Sequence, residues 1–77
     1  MPKYFFVVRQ GDRITDHSDG VDLPDLDAVQ IEAIRSTGEL LRDLNAPVES
    51  GWEWRMEVAD EANNPVLSLR VIAELHE

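Results

Sequence analysis

The residues best suited to metal chemistry are five closely spaced aspartates, Asp16, Asp19, Asp22, Asp25 and Asp27, with Gly20 among them. A hard cation such as calcium takes several oxygen ligands around a tight turn. Asp16, Asp19 and Asp22 are therefore candidate ligands by composition. The spacing is not that of an EF-hand loop, which needs ligands at alternate positions and a closing glutamate. The plainer reading gives each aspartate a local task in a turn or at a helix start. No metal or other cofactor is expected.

Other reactive side chains are sparse. His17 and His76 are the only histidines, and neither has a partner at ligand spacing. There is no cysteine, so thiol nucleophiles, disulfides and thiolate-bound zinc are excluded. Ser18, Ser36, Ser50 and Ser68 stand in no nucleophile-elbow context. Gly11 and Gly20 do not form a phosphate-binding loop. No catalytic residue is singled out.

These side chains need a scaffold, and the hydrophobic pattern supplies one. Tyr4 to Arg9 is aromatic and β-branched, apolar on both faces, and reads as a central strand. Gln10-Gly11-Asp12 is a turn, and Arg13 to Asp16 returns as a short polar edge strand. Asp19-Gly20 turns again, and Val21 to Leu23 leads into a helix. Asp25 is its N-cap, and Asp27 complements its macrodipole.

Along that helix Leu26, Val29, Ala33, Thr37, Leu40 and Leu44 recur at three- and four-residue steps, with Ile34 and Leu41 flanking. Glu32, Arg35, Glu39, Arg42 and Asp43 fall opposite, with Arg35–Glu39 and Glu39–Arg42 at ion-pair spacing. Asn45-Ala46-Pro47 ends the helix. Trp52 to Val58 then alternates without a break, and Val66 to Ile72 forms the last strand.

The expected fold is α+β, in the order β-β-α-β-β, as one domain over residues 1–77. Its small antiparallel sheet, with the four strands in the order 2-1-3-4, carries one long helix on one face. That order puts the most apolar strand inside. The covered face carries Tyr4, Phe6, Val8, Trp52, Trp54, Met56, Val58, Leu67, Leu69 and Val71. The open face carries Phe5, Val7, Arg9, Glu53, Arg55, Glu57, Val66, Ser68 and Arg70.

Sixteen acidic and seven basic residues give a formal charge of −9. That field repels phosphate backbones and anionic lipids, which argues against nucleic acid as a partner. No run approaches the ~18 apolar residues of a membrane span, and no secretory signal is recognisable. The expected compartment is the cytoplasm.

The order of short motifs resembles a family of short domains of unknown function common in alphaproteobacteria, notably rhizobia. The resembling pieces are Tyr4-Phe5-Phe6, Gly11-Asp12, Asp19-Gly20-Val21-Asp22-Leu23-Pro24-Asp25-Leu26, Glu32-Ala33, Glu39-Leu40-Leu41, Trp52, Val58-Ala59-Asp60-Glu61 and Val66-Leu67-Ser68-Leu69. Val7 stands where many members have histidine, Gln10 where an acidic residue is common, and Arg70-Val71-Ile72 replaces a proline-containing ending. The resemblance implies a shared fold and lineage. It implies no catalytic residue, cofactor or substrate.

The functional expectation is a non-enzymatic interaction domain. It contacts a protein partner, or a second copy, through the open sheet face at Phe5, Val7, Arg9, Arg55 and Arg70, or through an edge strand. A regulatory or antitoxin-like module is the alternative, and an enzyme of unknown chemistry the third reading.

Overall fold

The computed structural model describes residues 1–43 and 51–76. Five strands and one helix follow in order: β1 (Lys3–Gln10), β2 (Arg13–His17), β3 (Val21–Asp22), α1 (Leu26–Asp43), β4 (Trp52–Ala59) and β5 (Pro65–Ala73). All pairings are antiparallel, and the sheet runs β2-β1-β4-β5. This is the expected 2-1-3-4 order with one addition. Val21 and Asp22, expected only to lead into the helix, pair with Tyr4 and Lys3 as a two-residue strand.

Local chemistry accounts for the connections. Gly11 takes a φ of 63° in the two-residue turn between β1 and β2. A positive φ at the first central position is what a tight hairpin loop demands and glycine supplies. The β4–β5 turn is tied by Asp60, whose carboxylate accepts from the amides of Ala62 at 3.0 Å and Asn64 at 2.9 Å. Asn63 there adopts a φ of 64°, which asparagine tolerates better than most residues.

The helix begins as its sequence demands. The Asp25 carboxylate accepts from the Ala28 amide at 2.8 Å, the N-cap bond. Asp25→Ala should lower stability by about 0.5–2 kcal/mol. Urea unfolding of both proteins checks this, and an unchanged midpoint would remove the cap from the account. The expected helix end at Asn45 to Pro47, and Leu44 of the apolar stripe, lie outside the described residues.

The core is one layer between α1 and the sheet. Tyr4, Phe6, Val8, Trp54, Met56 and Val58 are buried from the sheet, and Val29 and Ala33 from the helix. Thr37 closes the stripe and donates its hydroxyl to the Met56 sulfur at 3.8 Å. The buried stripe is narrower than expected: Leu26 and Ile34 are more than half exposed.

Two further expectations are corrected. Val66, expected on the open face, packs against the core. The register shifts between Val58 and Ala59, which face Leu67 and Pro65, so Val66 is an extra residue that a bulge re-aims. Arg35 pairs with Glu32, one turn earlier, rather than with Glu39. A glutamate N-terminal to its basic partner is the better helical arrangement. The Glu32 carboxylate raises the Arg35 pKa through this bond and its charge, and Glu39 adds only its charge.

Candidate functional site

Strand register decides what the open face displays. In the pairing of β1 with β4, Arg9 lies directly opposite Arg55, and in the pairing of β4 with β5, Arg55 lies opposite Arg70. The three arginines therefore form one row across three strands. Ile14 of β2, opposite Arg9, extends the row and is half exposed. Like charges in direct cross-strand positions are destabilising.

Two glutamates from β4 moderate the repulsion. Arg9 Nε donates to Glu57 Oε1 at 2.6 Å, and Arg70 Nε donates to Glu53 Oε1 at 3.0 Å. Arg55 Nε lies 3.7 Å from the same Glu53 oxygen. Three cations thus share two carboxylates, and the row keeps a surplus positive charge in a chain of net charge −9. Each pair is solvated and contributes up to about 1 kcal/mol.

Beside the arginines lies a depression of about 230 Å³, in which Phe5, Val7, Ala59 and Pro65 form the apolar part and Arg9, Glu57 and Asn63 the polar part. Phe5 is held there by Gly20. At a φ of 114° only glycine is comfortable, and a Cβ would come within 3.2 Å of the Phe5 ring. Phe5, Val7 and Arg9 are thus brought together at the depression, and Arg55 and Arg70 join them through the row.

Asp16, Asp19 and Asp22 do not converge. The Asp16 carboxylate accepts from the His17 amide at 2.8 Å, and Asp22 lies 3.2 Å from Lys3 Nζ. Among the described residues, no three His, Asp or Glu side chains group as a metal ion needs.

A second concavity, of about 160 Å³, lies between α1 and the β1–β2 side. Its floor includes Phe6, Val8 and Met56, and its rim Asp16, Glu32 and Ser36. It is small beside the ~300 Å³ at which ligand pockets begin. Its rim carboxylates are engaged, Asp16 by the His17 amide and Glu32 by Arg35 and Ser36.

Ile14, Ala59 and Pro65 were not singled out in the sequence. Ile14 was legible as the one aliphatic residue of a polar strand. The row of arginines depends on register, which no single strand encodes.

The molecule is a small α+β domain with one helix-covered face and one open face. Residues 3–73 match the family described as "Domain of unknown function (DUF6894)", and the chain belongs to that family. No curated protein and no solved structure shows a match to it. Among the described residues, no helix is long and apolar enough to cross a membrane.

Proposed function

We propose that this is a protein-interaction domain whose open sheet face binds an acidic, partly apolar segment of a partner. The observation that carries this reading is the cross-strand row of Arg9, Arg55 and Arg70 beside the depression at Phe5 and Val7. Guanidinium groups engage carboxylates with two parallel hydrogen bonds and suit interfaces. An apolar side chain of the partner fills the depression, and its carboxylates replace water around the row.

The outer side of the helix mixes the exposed Ile31 and Ile34 with charged residues. Glu32, Arg35, Glu39 and Asp43 would have to be desolvated there, at a cost their mutual attraction does not readily repay. The resemblance to alphaproteobacterial domains supports a bacterial setting.

The test is affinity capture from the native cell with wild type and a Phe5→Ser/Val7→Thr variant. The variant should retain its far-ultraviolet circular dichroism and lose the proteins that wild type captures. A folded variant that captures the same proteins would exclude the open face.

A further inference from the structure

We infer that β5 is a self-pairing edge through which two copies of this chain form a symmetric dimer with one continuous sheet. The inference concerns the edge of the sheet rather than its open face, and Arg70 is the residue the two surfaces share.

The two sides of the sheet end differently. On one side β2 is short, carries Asp16 and is broken by a register shift between Val8 and Arg9; β3 carries Asp22. Short strands, charges and bulges are the usual guards of an exposed edge. On the other side β5 has nine residues, Pro65 only at its start, and a register shift only at that end. It contains no carboxylate, and its one charge is Arg70. In a chain of net charge −9, this edge lets two copies approach without opposing acids.

Among the described residues, main-chain geometry settles which groups bond within the sheet. The Gly11 amide donates to the Glu53 carbonyl at 3.1 Å, while Phe6 bonds to Ser18 on the β2 side. Glu53, Arg55 and Glu57 therefore bond towards β1, and Trp54, Met56 and Val58 towards β5. Their partners Val71, Leu69 and Leu67 bond inward. The amides and carbonyls of Ser68 and Arg70 consequently point away from the sheet.

Antiparallel self-pairing requires these outward residues to meet each other. Centring the two-fold axis on Leu69 sets Ser68 against Arg70 of the second copy and Leu67 against its Val71. Centring it on Arg70 would oppose two arginines, so the Leu69 register is favoured. That axis places both helices on one face. Glu32 and Ser36 border the groove on the β1–β2 side, so Ile34 lies on the opposite flank of α1, towards β5. It is 63% exposed in the single chain. In the dimer it overhangs the joined β5 strands, whose half-buried Leu67, Leu69 and Val71 become covered.

Sedimentation equilibrium of the full chain should give about twice 8.7 kDa at high concentration, falling towards 8.7 kDa on dilution. Ser68→Pro removes an outward amide that β4 does not use, and proline is tolerated on such edges. It should raise the dissociation constant about tenfold or more. The register has its own signature. Ser68→Glu, facing Arg70 of the second copy, should tighten the dimer several-fold, and Ser68→Arg should weaken it. General repulsion between acidic copies predicts the reverse order. A mass of 8.7 kDa at every concentration, or a dimer unaffected by Ser68→Pro and Ser68→Arg, would overturn the inference. A dimer dissociated only by the Phe5/Val7 changes would also overturn it, in favour of the open face.

Discussion

Trp54→Ala should be strongly destabilising, removing about 3–5 kcal/mol of the domain's stability. Trp54 lies on the covered face, 3% exposed, on the strand that pairs with both β1 and β5. Truncating a buried aromatic costs about 3–5 kcal/mol, because the transfer free energy is lost and a cavity remains. A chain of this length has about 4–12 kcal/mol of total stability. No disulfide compensates, since there is no cysteine. Near-ultraviolet dichroism and a denaturant titration would read the loss directly. A near-native melting temperature would mean that the helix covers the other face.

Ala33→Asp should be as damaging, and Ile34→Asp nearly harmless to the fold of the single chain, at dilutions where the β5 dimer is dissociated. Ala33 is fully buried where α1 meets the sheet, with Val29 one turn before and Thr37 one turn after. A carboxylate there has no partner and no water, and burying an unpaired charge is among the most destabilising changes known. The helix must then undock, which removes the single layer covering the core. Ile34, the next residue, is 63% exposed, so the same carboxylate stays solvated. Thermal unfolding of the two variants side by side tests the rotational setting of the helix. Equal losses, or a larger loss at Ile34, would show it to be wrong.

The contrast between Ala33 and Ile34 also marks how far the sequence could be read. The alternation from Trp52 to Val58 was decisive because its two faces differ in chemistry, so one residue of slip would have buried glutamates. The Asp25 cap was legible because a local bond makes it. The width of the helix stripe was not, because Leu26 and Ile34 are apolar like the buried positions, and only the reach of the sheet decides which are covered. The two-residue strand Val21–Asp22 exists through its pairing with Lys3 and Tyr4, and two residues carry no periodicity. Val66 turned inward because of a bulge created by the β4–β5 register. The candidate surface was half legible: alternation put Arg9, Arg55 and Arg70 on one face, but their direct opposition required the register of three strands.

That opposition is where the functional account is most exposed. If the row exists to bind, its central member should be dispensable for folding and needed for recognition. Arg55→Glu replaces two like-charge oppositions with two attractive ones, each worth about 0.2–1 kcal/mol, while adding a carboxylate between Glu53 and Glu57. The account predicts a melting temperature close to wild type together with loss of the captured partner. A variant that melts markedly lower yet captures the same proteins would contradict it, and would reduce the arginine row to an ordinary structural ion-pair network.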